Sequence, residues 1–423
     1  MTVSQVIFIL TLIITIAFFS YSVTKYIKLF KLTQKYSIKN WGKRFLILLK
    51  IAIGQTKIFR FPFAGLFHAI VFWGFIVILF SSIEMVIDGV TGSHKSLKFF
   101  GIFYDILMGF GDIFAYLIII AVVVFSIRRI SKAVKRFEGY EMKPINHFDA
   151  ILALTLILLL MISLIGININ EATIYNSNIY PISSPIAKYL DFCPCQCKLW
   201  YKIFWWSHIE LIFLFANILP YSKHFHVFLS LPNVFLSRLE PLGKLNTLKS
   251  ITQEVKTMLN LDVNYQPQNN ISIKFGIKDA EDVTWKTYLD SLTCTQCGRC
   301  TYVCPASQSG RKLSPRKLIM DLRTRMYEKG LKLYKNRNYT DNKSYLYDYI
   351  SLEEIWACTL CNACAQECPV NIYHPQIIID LRRYLVMEEG KAKGGLQSMF
   401  SNIENNGAPW KYSPLDRINW INS

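Results

Sequence analysis

Charge is scarce in this chain, and negative charge is scarcest. Only 18% of the 423 residues are charged, with 29 acids set against 47 bases. A soluble protein of this length carries nearer a quarter charged residues, and a disordered one fewer aromatics than the 14% found here. Strand-like alternation is absent, so no Gly-rich dinucleotide fingerprint sits between a strand and a helix. Adjacent cysteines are absent too. Long apolar runs are missing from the C-terminal half but crowd the stretch before Phe235. These gaps weigh against a soluble α/β enzyme and leave a mainly α protein, half in lipid and half in water.

What is present begins with five apolar spans, near residues 3–23, 63–83, 110–127, 148–167 and 203–221. Each has about the length a helix needs to cross the hydrocarbon layer. Asp112 and Glu210 interrupt the third and fifth. The first span lacks a basic start and a small-residue cleavage site, so it reads as a retained anchor. Residues 24–62 carry ten Lys/Arg and no acid, and residues 128–147 carry six Lys/Arg against Glu138 and Glu141. The alternate loops, 84–109 and 168–200, carry two Lys/Arg each. Positive-inside bias then predicts a multi-pass protein of a bacterial inner (cytoplasmic) membrane. Its N-terminus lies outside and everything after the fifth span inside. The two basic loops also hold most of the net charge of +18. That charge reads as a topology signal beside anionic lipid, and nucleic-acid binding is excluded as a partner class.

Four parts follow along the chain: a membrane domain (1–235), a linker (236–284), a compact unit (285–390) and an extended tail (391–423). The Asn/Gln-rich stretch 264–270 is the expected flexible point of the linker. The compact unit contains a repeat, each copy a cysteine cluster ending in Cys-Pro followed by a helix that opens with proline. The first helix is predicted from Pro315 to Glu328 with Ser314 as its N-cap. The second runs from Pro375 to Glu389, stopped by Gly390.

Eight of the eleven cysteines form two identical patterns. Cys294, Cys297, Cys300 and Cys304-Pro305 are spaced like Cys358, Cys361, Cys364 and Cys368-Pro369. Three thiolates two residues apart wrap one face of a [4Fe–4S] cube, while the fourth departs with a Pro-fixed turn to the other cube. The ligation is therefore expected to cross. Cys294, Cys297, Cys300 and Cys368 hold one cluster, and Cys358, Cys361, Cys364 and Cys304 hold the second. Structural zinc uses two separated pairs, and disulfides are disfavoured in a reducing compartment. Cys193, Cys195 and Cys197 sit in an external loop and read as local structure.

Histidine inside a membrane helix is a functional candidate. His68 lies early in the second span. His208 and His226 lie eighteen residues apart, five whole turns if one continuous helix carries both. His68 and His226 fall at equal depth near the cytoplasmic surface, as a bis-imidazole b-type haem requires. His208 is a further candidate ligand, and His224 an alternative to its neighbour. His94 and His147 read as surface residues.

Five spans, Leu66-Phe67-His68 and Pro220-Tyr221-Ser222-Lys223-His224-Phe225-His226-Val227 resemble the cytochrome b subunit of respiratory nitrate reductase. The C-terminal half resembles the two-cluster subunit of heterodisulfide reductases. The fusion is similar to membrane subunits of heterodisulfide reductase and sulfite-reduction-associated complexes. The resemblance implies a five-helix haem-binding bundle followed by a cytoplasmic two-cluster ferredoxin domain. It also implies a quinone as diffusible substrate and a separate catalytic subunit as partner. One position departs: where that cytochrome has a second span-two histidine, this chain has Ile78. His208 thus lacks its family partner, and the haem count is one or two.

The function this predicts is electron relay between the quinone pool and a cytoplasmic iron–sulfur partner. The alternative is a self-contained quinone-dependent dehydrogenase, which needs a flavin or substrate pocket not visible in the sequence. A transporter or sensor built on Glu84, Asp88, Asp112 and Glu210 is a third reading. Glu84, Asp88 and Lys95 are also the external candidates for a quinone site.

Overall fold

The computed structural model describes residues 2–190, 194–261, 274–392 and 394–421. Helix dominates these residues, and pairing between extended segments is confined to two isolated bridges. Five helices are long and apolar enough to cross a membrane, each 27 to 32 residues. They outrun the apolar runs that announced them, because charged and aromatic turns at the ends continue the helix into the interface.

Helix α1 (Val3–Phe30) opens on a capping box between Thr2 and Gln5. Helix α2 (Trp41–Ile47) runs on into a π-helical turn, Leu48–Ile53. Trp41, Phe45, Leu46 and Leu49 are exposed along it. On its inner side the buried Arg44 donates to the carbonyls of Lys39 and Ser237, both at 2.7 Å. That one-sided exposure suits a helix lying in the interface plane.

Helices α3 (Pro62–Thr91), α4 (Ile102–Ile130), α5 (Pro144–Tyr175) and α7 (Pro194–Ile218) complete the bundle with α1, and α5 packs most extensively on α7. Helix α6 (Ser183–Leu190) caps the end of the bundle where α4 begins and α5 ends. It is pinned there by Asp112, which is fully buried. The Asp112 carboxylate accepts from the amides of Ile182 (2.8 Å) and Ser183 (3.0 Å) and from Asn168 (3.0 Å). Glu84 likewise accepts from the Leu97 amide and the Tyr104 hydroxyl, both at 2.9 Å. Asp88 accepts from the amides of Lys95 and Ser96, while Lys95 pairs with Glu171. These acids are tied into loop closure.

Helix α8 (His226–Phe235) follows two 3₁₀ turns, and α9 (Lys249–Met258) lies within the stretch read as linker. Residues 264–270 fall outside the described residues. From residue 274 the chain already belongs to the compact unit. Ile277, Ala280 and Val283 enter its core, and the Ile277 amide donates to Asp380 at 3.0 Å. The unit therefore starts about ten residues earlier than the cysteine spacing implied.

In the unit, α10 (Trp285–Thr293), α11 (Arg299–Tyr302) and α12 (Pro305–Gln308) carry the first cysteine motif. Helix α13 (Pro315–Lys335) follows, N-capped by Ser314 as expected but seven residues longer than predicted. Helices α14 (Leu352–Ala357) and α15 (Ala363–Glu367) repeat the pattern. Helix α16 (His374–Arg383) continues as a π turn to Glu388. The tail is not wholly extended: residues Gly394–Asn406 form α17. Its spacing of apolar residues was too loose to announce a helix.

The membrane bundle and the compact unit share one apolar core. Leu29 and Leu32 of the α1 end, Ala52 and Val234 cluster with Leu292, Leu322 and Met326 of the unit. Gly330 makes this approach possible, since a Cβ there would stand 2.4 Å from the Leu29 side chain.

Candidate functional site

Both cysteine motifs fold by the same local rule. Cys294 ends α10 and Cys358 ends α14, each with an extended ψ that turns the chain out of the helix. Two left-handed residues follow in each copy: Gln296 and Gly298 in the first, Leu360 and Asn362 in the second. They curl the loop so that successive amides point inward, the concave arrangement that cradles a negatively charged cluster. A short helix then carries the third cysteine. The fourth leaves in extended conformation before its proline. Gly298 is needed twice over, because a Cβ there would also lie 2.4 Å from the Arg136 carbonyl.

The thiols gather in two groups. Cys300 lies in electrostatic reach of Cys297, Cys294 and Cys368 and, last in order, of Cys364, and Cys368 of Cys297 and Cys294. Cys364 is in reach of Cys358, Cys304 and Cys361. Those last four line one cavity with His374 and Leu313. Each fourth cysteine thus stands with the triplet of the other motif. Burial raises Cys294 and Cys300, and pushes Cys368 up to about 12. Amides of Leu360 and Ile372 point at the sulfurs of Cys358 and Cys368, each at 3.4 Å. Buried thiols that must ionise need a positive centre, which cluster iron supplies. Among the described residues no three His, Cys, Asp or Glu groups converge on a single-ion site.

His68 and His226 are brought into reach of each other and of Arg299. The Nδ1 of His68 donates to Gln55 Oε1 at 3.1 Å, and Gln55 donates in turn to the Ala52 carbonyl. His226 Nδ1 donates to the Lys223 carbonyl at 3.1 Å. Fixing Nδ1 in this way leaves Nε2 as the free ligating nitrogen. Burial holds His226 below its ordinary value, in the neutral form. The five-turn argument needs correcting, however. The helix stops at Ile218, and 3₁₀ turns at 219–221 and 223–225 intervene before His226. Pro220 breaks the register, and the turns deliver His226 to His68.

His208 is buried, with Nδ1 close to Ser163 Oγ (2.8 Å) and the Leu160 carbonyl (3.0 Å). Ile78 is buried among apolar neighbours. His224 is engaged by Ser222 at 2.9 Å and stands 4.0 Å from Asp149. His94 is exposed beside Tyr175 and Tyr201. Cys197 is buried and Cys195 exposed; Cys193 lies outside the described residues.

Four residues with a stake in the site gave no sequence signal of their own. Arg299 donates to the carbonyls of Lys57 (2.7 Å) and Ile58 (3.3 Å), and Lys57 Nζ donates to the Cys368 carbonyl at 3.1 Å. Gln55 orients His68. His374 is 2% exposed, faces the second quartet, and has an unpartnered Nδ1. Its one available cue is its place directly before the proline that opens α16.

Comparison with known proteins agrees with this chemistry. Residues 290–372 match the 4Fe-4S dicluster domain. The chain is 31% identical to the probable iron-sulfur-binding oxidoreductase FadF of Bacillus subtilis (strain 168), over 95% of this chain and 58% of that protein. It is 27% identical to the EtfAB:quinone oxidoreductase of Syntrophomonas wolfei, over 88% of this chain and 52% of that protein. One component of the ferredoxin/F(420)H(2)-dependent CoB-CoM heterodisulfide reductase of Methanosarcina acetivorans is 37% identical over 24% of this chain and 49% of its own length. The chain thus spans a little over half the length of the first two relatives. No solved structure matches. The chain is similar to iron–sulfur oxidoreductases and carries a 4Fe–4S dicluster domain behind five candidate membrane helices.

Proposed function

We propose that the chain relays electrons between a membrane quinone and a cytoplasmic iron–sulfur partner. The relay runs through one b-type haem held by His68 and His226 and two [4Fe–4S] clusters with crossed cysteine ligation. The observation that carries this reading is the loop at residues 55–58. Gln55 fixes His68, while Lys57 and Ile58 hold Arg299 and the Cys368 carbonyl. One short loop joins the haem end of the bundle to the first cysteine quartet.

The chain's own residues have defined tasks. Gln55 and the Lys223 carbonyl orient the two imidazoles, and the left-handed turns at Gln296, Gly298, Leu360 and Asn362 aim amides at the cysteine sulfurs. Lys57 and Arg299 place positive charge between the two sites. When bound, the haem and clusters accept single electrons, so a two-electron quinol is split at the membrane. His208 is the ligand proposed for any second haem. The two-cluster fold and the likeness to a quinone oxidoreductase support this reading, as does the likeness of the His68 and His226 segments to the nitrate reductase cytochrome. The partner is proposed to carry the substrate chemistry. The basic loops flank the compact unit, which suits a cytoplasmic placement of that unit in a bacterial inner membrane.

The test is reduction of the clusters by a quinol analogue in vesicles containing the full chain. Wild-type protein should equilibrate its clusters with the quinone pool. His68→Ala should keep its iron and lose that exchange, and haem-free protein exchanging at the normal rate would overturn the relay.

A further inference from the structure

The outer carboxylates are committed to loop closure, which leaves the question of where a quinone would sit. A cavity of about 320 Å³ opens at the other end of the bundle, where α1 and the last span meet the compact unit. That volume lies within the range of small-molecule sites. Tyr26 lines it from the end of α1, Tyr221 from the end of the last span, and Tyr288 and Tyr327 from the compact unit. Phe225 on its wall precedes the candidate haem ligand His226, and Leu292 lies two residues before Cys294.

Arg323 supplies the charged group. The repeat makes its position informative, because Leu322-Arg323 in α13 corresponds to Leu381-Arg382 in α16. Arg382 is spent on structure, donating to the carbonyls of Ile355 (2.7 Å) and Cys358 (2.6 Å). Arg323 is in electrostatic reach of Cys294 of its own motif, yet it has no hydrogen bond or ion pair among the described residues. It borders the cavity instead, in reach of Tyr26 and Tyr288. One copy of the repeat has released its arginine from the task the other copy keeps.

We infer that this cavity binds the head group of a membrane quinone. Flat aromatic walls match a quinone ring, a free guanidinium matches a ring oxygen, and the position beside the span ends admits an apolar tail from the bilayer. Glu328 on the same wall opposes a phosphate, so a phospholipid head group fits less well. The inference rests on the relay reading and places its quinone between His226 and Cys294.

The full chain, oxidised and in nanodiscs, is titrated with the quinol analogue 2-heptyl-4-hydroxyquinoline N-oxide by fluorescence quenching. It is then labelled with a photoactivatable azidoquinone and mapped by mass spectrometry. Arg323→Leu and the cavity-filling Thr324→Phe should each weaken binding by about tenfold or more while iron and haem contents stay unchanged. The label should fall on peptides containing Tyr221 or Tyr327. Unchanged affinity in both variants, label on residues 84–97, or a phospholipid in the cavity that the analogue cannot displace would overturn the assignment. Binding is read without electron transfer, so label elsewhere sinks the cavity and leaves the relay standing. A failed relay appears only in the vesicle experiment.

Discussion

Lys57 Nζ donates to the carbonyl of Cys368 at 3.1 Å, a contact between the loop that leads into α3 and the last cysteine of the second motif. The carbonyl of Lys57 accepts from Arg299, inside the other motif, at 2.7 Å. Gln55, two residues earlier, holds His68. Any movement of this loop therefore shifts the His68 imidazole together with Arg299 and Cys368.

Gln55→Leu should separate haem from iron. The substitution removes the acceptor that fixes His68 Nδ1 without touching a cysteine. Loss of such an orienting partner costs about 10- to 100-fold in metal affinity. Haem per chain by pyridine haemochrome should fall while iron per chain holds. His68→Ala and His226→Ala should abolish the same haem outright, and His208→Ala should leave it in place.

The crossed ligation makes a prediction about which signal is lost. Purified anaerobically, the chain should carry about eight iron atoms in its clusters. Cys368→Ser should damage the cluster held by Cys294, Cys297 and Cys300. Electron paramagnetic resonance of Cys368→Ser and Cys294→Ser should then show the same cluster missing. Loss of the signal that Cys358→Ser removes would refute the crossing.

The parts legible in sequence were those set by strict spacing. Cysteine intervals dictated two clusters, and apolar length dictated the spans even where Asp112 and Glu210 interrupt it, because both follow from local chain geometry. The arithmetic failed where tertiary contacts decide. A continuous helix from His208 to His226 was assumed, yet Pro220 ends it and 3₁₀ turns place His226. Glu84, Asp88 and Asp112 looked available as intramembrane acids. Their partners include backbone amides 7 to 71 residues away, which no periodicity encodes. Arg323 and Arg382 occupy matching places in the repeat, and only packing shows that one is hydrogen-bonded to its motif and the other is not.

The compact unit should be acid-sensitive through Asp279. Burial would raise this carboxyl, but hydrogen bonds from Arg325 and Lys329 and from the Ala280 amide hold it below the usual carboxylate range. Its contribution to stability is fully present above the unfolded value of about 4 and is lost as pH falls through the lower folded value. Asp279→Asn should flatten that acid limb in thermal melts. Arg325→Met removes the buried guanidinium from this carboxylate but leaves Lys329 paired with it at 2.8 Å, so it should cost less than the about 3–5 kcal/mol of a fully unpaired buried charge.

Docking of the unit onto the bundle hangs on Glu141, in a loop whose charge first reads as topology alone. Its carboxylate accepts from Arg316 Nε and from Ser314 Oγ, both at 2.7 Å, and the ion-paired side chains are 2% and 3% exposed. Arg316 also donates to the Arg136 carbonyl at 2.8 Å, beside the point where Gly298 meets the same loop. Ser314 is the N-cap of α13, so one acid braces a helix start, a buried arginine and the first motif. Glu141→Ala leaves the guanidinium of Arg316 buried and unpaired, at a cost of about 3–5 kcal/mol. The bundle itself does not depend on this pair, so the loss should be local. Hydrogen exchange should rise in residues 131–143 and at the start of α13, while the loop held by Asp112 keeps its protection. Glu141→Gln retains an acceptor without the charge and should fall between the two. Equal protection in all three proteins would show that the shared apolar core of Leu29, Leu32 and Met326 is sufficient for docking.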